Sequence, residues 1–143
     1  MHSAPCDGGD ESEEAMIIAV DFDGTIVDHR YPDIGAEVPG AVEWLKRLVE
    51  RGAKLILLTM RSGETLRQAV RWCDDKGISL WAANRNPQKW SWTRSVKVYA
   101  HAYVDDAGFG CPLHENPRMG GRPYVDWNIV GPGLMRMLEE VGK

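Results

Sequence analysis

Two aspartates one residue apart are the first candidates for chemistry. Asp21 and Asp23 follow a short apolar run in the segment DFDGT, and residues i and i+2 of an extended chain point to the same side. Gly24 directly after them allows a sharp turn and a close backbone approach to a ligand. A second acidic pair, Asp105 and Asp106, follows another apolar run. Carboxylates gathered at neutral pH need a cation, and all-oxygen ligation by few residues suits Mg²⁺.

Further residues are placed to contact a phosphate group beside such an ion. Thr59 ends an apolar run, and the backbone amides from Met60 onward precede a predicted helix, where an anion is favoured. The Arg61 guanidinium could reach the same group, and Lys97 offers a cation ahead of the second acidic pair. Taken singly, each residue also has a structural explanation, such as a turn or a solvated side chain. Their order and placement together favour a phosphate site.

The elements that must position these residues alternate between strand and helix. Apolar runs predict strands at 17–21, 54–59, 79–84 and 101–106, and helical spacing predicts helices over 39–51, over 62–77 and from Pro132 onward. This alternation predicts an α/β fold, a three-layer α/β/α Rossmann-like sandwich around a central parallel sheet. Residues 107–123 are predicted to form a Gly/Pro-rich loop. Since the carboxyl ends of parallel strands share one edge, Asp21, Thr59 and Asp105 should converge there.

Length and charge divide the chain into an acidic tail and one domain. Residues 1–15 carry five acidic residues and no lysine or arginine, and they have little to bury, so we expect a disordered tail. The remaining residues, 16–143, suffice for a single domain. They carry 16 acidic against 17 basic side chains. This near neutrality argues against a general nucleic-acid coat, which would show a basic excess.

Membrane and redox signals are weak in this sequence. No apolar run is long enough to span a bilayer, and the pattern of a signal peptide is not visible. The three cysteines, Cys6, Cys73 and Cys111, have no repeated spacing that would predict a metal or disulfide framework. We therefore expect a cytoplasmic protein with reduced thiols and no membrane partner.

The segment DFDGTIV resembles the first motif of the haloacid dehalogenase-like hydrolase superfamily, Asp-x-Asp-x-Thr followed by an apolar residue. Thr59 at the end of LILLT, Lys97, and the AYVDD segment match the second, third and fourth motifs in the family's order. The match extends over residues 16–106. It implies the same Rossmann-like fold, with Thr59 and Lys97 steadying the phosphoryl oxygens.

The resemblance implies a Mg²⁺-dependent phosphatase that acts through an aspartyl-phosphate. Asp21 would be the nucleophile, and Asp23 would protonate the leaving oxygen and then deprotonate the attacking water. Mg²⁺ would be held by the Asp21 carboxylate, the Asp23 backbone carbonyl and Asp105, with Asp106 ligating or orienting. The second aspartate favours a phosphatase over a dehalogenase, whose leaving group needs no proton.

Family members often carry a cap domain, but residues 24–38 leave room only for a short flap. The chain thus resembles a small capless member, whose open site would suit a phosphoprotein or a nucleic-acid end. A small phosphorylated molecule remains an option, and a partner subunit in a homo-oligomer could supply a lid. Arg30 and Tyr31 in the flap could touch the leaving group or form a surface turn. Trp90 and Trp92 could stack on a substrate or pack against the fold.

Other functions on the same fold stay open. A regulatory protein could bind Mg²⁺ and phosphate without turnover, and a phosphotransferase could use an acceptor other than water. A receiver-like phosphoacceptor also uses an acid cluster with Thr and Lys, but its lysine comes last in the chain. Here Lys97 precedes Asp105 and Asp106.

Overall fold

The structure is a computed structural model that describes residues 15–88 and 90–141. Its elements in chain order are β1 (Ile17–Val20), α1 (Ala41–Glu50), β2 (Lys54–Leu57), α2 (Gly63–Asp75), β3 (Ala82–Ala83), β4 (Ala102–Val104), β5 (Leu113–His114), β6 (Tyr124–Val125) and α3 (Trp127–Val141). The predicted acidic tail falls almost entirely on residues 1–14, which lie outside the described residues. Among the described helices, none is both long and apolar enough to cross a membrane.

Four parallel strands form the central sheet, in the order β3-β2-β1-β4. β1 lies in the middle, with Ile17 opposite Lys54 of β2 and Ile18 opposite Ala102 of β4. All four β1 residues are buried, as expected for a central strand covered on both faces. The predicted α/β fold with a central parallel sheet is confirmed.

The three helices supply the hydrophobic core on one face of the sheet. Ile18 and Val20 of β1 belong to a buried cluster with Leu45 of α1, Cys73 of α2 and Leu134 of α3. Alternation along the strand sends Ile17 and Ala19 to the opposite face. On that face they form a second buried cluster that includes Val98 and Ala100.

The second face is covered by an irregular segment, described over residues 85–88 and 90–100, and not by the helix that the sandwich prediction implied. Its hydrophobic residues Trp90, Trp92, Val96 and Val98 do not follow the i, i+3, i+4, i+7 spacing of a helical face. The fold therefore has three layers, with helices on one side of the sheet and an extended, irregular layer on the other.

The last helix begins earlier than predicted. α3 starts at Trp127 and contains Pro132 within it, because Asp126 rather than the proline marks the helix start. The Asp126 carboxylate accepts a hydrogen bond from the Asn128 amide at 3.0 Å, which is the usual role of an N-cap aspartate. The predicted 107–123 loop also contains β5, which pairs antiparallel with β6.

Candidate active site

Three carboxylates meet at the carboxyl edge of the sheet. Asp21 follows β1, and Asp105 and Asp106 follow β4, so the pairing of these two strands brings the acids together. Their side chains offer oxygens that all lie within 4.8 Å of one another. All three residues are half-buried. The expected convergence of Asp21 and Asp105 is thus present in the structure, with Asp106 beside them.

The environment of Asp21 disfavours the ionised form of its carboxyl group. Burial, then the charge of Asp105 and a hydrogen bond with Asp106, raises the pKa of Asp21 to about 8, against a smaller opposing contribution from the Phe22 amide. Carboxylates this close cannot all ionise without a compensating positive charge. The cluster offers only oxygen donors, the set preferred by hard divalent cations such as Mg²⁺. These residues therefore fit such an ion.

Thr25 ties the two acid-bearing strand ends together. It is fully buried. Its hydroxyl donates a hydrogen bond to Asp21 Oδ2 at 3.3 Å, and the hydroxyl oxygen of Thr25 accepts a hydrogen bond from the Asp106 amide at 3.2 Å. The Trp127 indole donates to the Thr25 carbonyl at 2.8 Å. The sequence contains this threonine in its first motif, but its bridging role depends on a contact between residues far apart in the chain.

Gly24 leaves space that the acid cluster needs. Its φ is +86°, and a Cβ there would meet the His29 ring and come within 2.7 Å of Asp106 Oδ2. His29 Nε2 lies 3.6 Å from Asp106 Oδ2 and 3.0 Å from the Pro123 carbonyl oxygen. Sequence reasoning gave His29 no role, because no partner at a recognisable spacing marks it.

Asp23 is paired with a buried arginine. Arg61 is only 2% exposed, and its Nε and Nη2 donate to the two oxygens of Asp23 at 2.8 Å each. Its guanidinium also donates hydrogen bonds to the backbone carbonyls of Pro32, Asp33 and Thr65. The guanidinium expected to contact phosphate therefore holds the flap and Asp23. The carboxylate of Asp23 thus faces a buried cation.

The loop after β2 is organised by Asn84, which follows β3. The Thr59 amide donates to Asn84 Oδ1 at 2.8 Å, and Asn84 Nδ2 donates to the Arg61 carbonyl at 3.4 Å. The Arg61 amide in turn donates to Thr59 Oγ1 at 3.1 Å. Met60, between them, is 98% exposed. Asn84 adopts a positive φ of 57° and was not recognised from the sequence.

Lys97 lies apart from the acids. Its side chain is exposed, and its Nζ lies 5.7 Å from the centroid of the Tyr103 ring. Among the described residues, the hydrogen bonds and ion pairs of the three acids do not include this lysine. Because residues 90–100 run along the second face of the sheet, the structure does not pair Lys97 with the carboxylates.

The aromatic residues noted in the sequence divide between two places. Trp90 packs edge-on against Tyr99 with ring centroids 5.7 Å apart. Together with the exposed Trp92 it lines a cavity of about 370 Å³ on the second face. Arg30 and Tyr31 instead line a cavity next to Asp23. The flap residues are therefore adjacent to the site, while the tryptophans belong to the irregular layer.

A solved structure resembles this chain closely. It is described as the structure of the conserved protein coded by locus from Bacteroides thetaiotaomicron. It is 41% identical in sequence, covers 86% of this chain and 92% of its own, and superimposes with a TM-score of 0.69. The chain belongs to the same family as that conserved bacterial protein. No family model and no curated protein matches the chain.

Proposed function

We propose that this protein is a Mg²⁺-dependent phosphatase of the haloacid dehalogenase-like type, which hydrolyses phosphoric monoesters through an aspartyl-phosphate on Asp21. The observation that carries the proposal is the meeting of Asp21, Asp105 and Asp106, whose side-chain oxygens lie within 4.8 Å of one another. It is supported by the order of the motifs from Asp21 to Asp106.

The acid cluster would hold the cation. Asp21, Asp105 and Asp106 supply the carboxylate oxygens, and Thr25 fixes two of these residues relative to each other. When bound, Mg²⁺ supplies positive charge that offsets the three carboxylates and the phosphoryl oxygens. Asp23 could add its backbone carbonyl to the same set.

Asp21 performs the covalent step. One of its carboxylate oxygens attacks phosphorus and forms an acyl-phosphate bond, while the bond from phosphorus to the leaving oxygen breaks. Water then attacks the same phosphorus, releasing inorganic phosphate and restoring the Asp21 carboxylate. The nucleophile must be ionised, so the proton favoured by the raised pKa of Asp21 must leave first.

Asp23 transfers the protons that balance these two steps. It gives one to the leaving oxygen in the first step and takes one from water in the second. Arg61 fixes the plane of its carboxylate through two 2.8 Å hydrogen bonds. A carboxylate has about four lone-pair positions, so positions on both oxygens stay open for the proton.

The phosphoryl group would lie between the acids and the loop after β2. Thr59 and the exposed residue Met60 bound this space at the adjacent strand end. The proposal assigns no phosphate contact to Arg61, which is committed to Asp23 and to backbone carbonyls. Lys97 is likewise assigned no phosphate contact, because its ammonium lies against the Tyr103 ring and does not pair with the three acids.

The proposal includes a phosphorylated substrate and a cytoplasmic location. A reducing compartment suits the free thiols of Cys73 and Cys111. Burial raises the pKa of Cys73 to about 12, which makes this thiol unreactive and leaves it a structural role in the core.

A second candidate is a regulatory protein that binds Mg²⁺ and phosphate without turning over. The Asp23–Arg61 pair favours it, because both Asp23 oxygens are already in contact with a buried cation. If this pair keeps a leaving oxygen away from the open positions of the Asp23 carboxylate, Asp23 cannot deliver a proton to it. The chain would then accept a phosphoryl group at most once from a reactive donor.

Hydrolysis of a generic aryl phosphate tests the proposal. The wild-type chain is assayed with Mg²⁺ and with EDTA, beside Asp21→Asn and the control Asp74→Asn, which changes an exposed acid on α2. Phosphate release that requires Mg²⁺, survives in Asp74→Asn and is lost in Asp21→Asn supports the phosphatase. Stoichiometric phosphorylation without turnover would support the regulatory candidate. Release that persists in Asp21→Asn would contradict both.

A further inference from the structure

A basic cavity lies directly beside Asp23. It has a volume of about 390 Å³ and is lined by Asp23, Tyr31 and three arginines, Arg30, Arg118 and Arg122. His29, which contacts Asp106 of the acid cluster, also lines it. The cavity is therefore continuous with the site through residues that belong to both.

We propose that this cavity binds a second phosphate group, carried on the leaving group of the substrate. The inference rests on the proposed phosphatase function, because it takes Asp23 as the residue that protonates the leaving oxygen. Atoms attached to that oxygen must then lie on the Asp23 side of the reacting phosphorus. The cavity occupies that side and is the size of a small polar group with a few carbons.

The charges of the cavity match a phosphate dianion. Arg118 is already committed, since its Nε donates to Asp28 Oδ2 at 2.9 Å. Arg30 and Arg122 take part in none of the ion pairs among the described residues, and both are exposed. Two arginines that line one cavity and take part in no ion pair among the described residues suit a group with two negative charges, which arginine binds through paired N–H donors.

The walls of the cavity are fixed to each other. Asp28, in the flap, accepts hydrogen bonds from Arg118 and from Asn116 Nδ2, the latter at 2.8 Å. Partial burial opposes the charge of Asp28, but Arg118, the His29 amide and Asn116 outweigh it and hold its pKa below the usual range. Asn116 Nδ2 also donates to the Arg122 carbonyl at 3.0 Å. The loop that carries Arg118 and Arg122 is thus joined to the flap before any ligand binds, which lowers the entropic cost of binding.

Tyr31 completes the cavity with an aromatic wall. The Arg61 guanidinium carbon lies 5.1 Å from the centroid of its ring, so the ring is tied to the same arginine that positions Asp23. The cavity thus combines an apolar surface for the carbon part of a leaving group with cations for its charged end. This pairing favours a small bisphosphorylated substrate over a simple monoester.

A binding comparison tests the inference. Asp21→Asn, which should bind without turning over, is titrated in Mg²⁺ with butanediol bisphosphate, its shorter and longer homologues, and the matching alkyl monophosphates. At least one bisphosphate should bind about tenfold or more tightly than its matched monophosphate. Combining Asp21→Asn with Arg30→Gln or Arg122→Gln should bring the ratio of the bisphosphate and monophosphate affinities toward one. Combining Asp21→Asn with Arg71→Gln, which changes an exposed arginine on α2, should leave this affinity ratio high.

The inference and the proposed function can fail separately. Equal affinity for every bisphosphate and its matched monophosphate would overturn the inference, as would a preference that survives both cavity arginine substitutions. The same ratio, measured as kcat/KM with the wild-type chain, is a second readout that does not depend on the folding of Asp21→Asn. A bisphosphate preference without turnover of any phosphoester would overturn the phosphatase and leave the cavity assignment standing.

Discussion

Arg61 holds Asp23 through two hydrogen bonds of 2.8 Å, one to each carboxylate oxygen. The arginine is 2% exposed, so the pair is largely shielded from water. Arg61 also donates to the carbonyls of Pro32 and Asp33. One side chain therefore fixes both the orientation of Asp23 and the path of the flap.

Replacing this arginine should damage stability and activity together. Arg61→Lys keeps the charge but loses the paired donors, so we expect a loss of about 1–3 kcal/mol in the free energy of unfolding. Urea denaturation measures it, and hydrolysis of an aryl phosphate should fall at least tenfold. The control is Arg67→Ala, whose ion pair with Glu64 is exposed and should cost less than about 0.5 kcal/mol. Equal losses of unfolding free energy in both variants would show that the buried Asp23–Arg61 pair stabilises the fold no more than an exposed ion pair does.

Alanine at position 24 should perturb the acid cluster beyond its effect on the backbone. Gly24 and Gly110 share a φ of +86°, but only at Gly24 would a Cβ meet other atoms, those of His29 and Asp106. Gly110→Ala should cost roughly 1–2 kcal/mol, the price of a left-handed conformation alone. Gly24→Ala should cost clearly more and weaken Mg²⁺ binding, as thermal denaturation and calorimetric titration would reveal. Indistinguishable variants would mean that the contact with Asp106 is easily relieved.

The Thr25 hydroxyl should matter for metal affinity. Thr25→Val removes the bridge between Asp21 and the Asp106 amide and leaves that part-buried amide without its acceptor, a cost of about 1–3 kcal/mol. Thr25→Ser keeps the hydroxyl and should retain most of the Mg²⁺ affinity. Titration calorimetry on both variants makes the comparison. Similar affinities in the two would exclude a role for the hydroxyl.

The metal-free protein should lose stability as pH rises. The pKa of Asp21 is about 8 in the folded chain against an ordinary 3.8, so the folded protein holds a proton that the unfolded chain has released. The associated stability is complete below the ordinary pKa and disappears as pH passes the folded value. In EDTA, the melting temperature should fall by several degrees from about pH 5 to about pH 8. Saturating Mg²⁺ should flatten this trend.

Asp21→Asn isolates the effect of this single group. Its melting temperature should approach that of the wild type at low pH and exceed it increasingly at high pH. If the melting temperature of Asp21→Asn depends on pH as strongly as that of the wild type, the titration belongs to other residues. Asp74→Asn, on the exposed side of α2, should follow the wild type throughout.

The sheet could be predicted because its strands are unbroken apolar runs. β1, β2 and β4 lie within the predicted segments, and Asp21 and Asp105 meet because parallel strands in register share one edge. β3 reduces to Ala82–Ala83 within the longer predicted segment. The parallel strands and the carboxylate cluster thus follow from local patterns and topology.

Side-chain partners at long range could not be predicted in the same way. Arg61 looked like a phosphate ligand because it follows Thr59, but burial against the flap gives it Asp23 and backbone carbonyls as acceptors. The place of Lys97 depends on the path of the irregular layer, which has no periodic pattern to read. Asn84 and His29 act through contacts that only the folded chain creates.

Phosphorylation of Asp21 during turnover is the most direct test of the proposed mechanism. The wild-type chain is acid-quenched while hydrolysing an aryl phosphate in Mg²⁺, and its peptides are analysed by mass spectrometry, with Asp21→Asn and Asp74→Asn treated alike. A phosphoryl group on the Asp21 peptide that hydroxylamine removes, present in Asp74→Asn and absent from Asp21→Asn, is the predicted result. Turnover without this adduct, or the same adduct on another residue of Asp21→Asn, would contradict it.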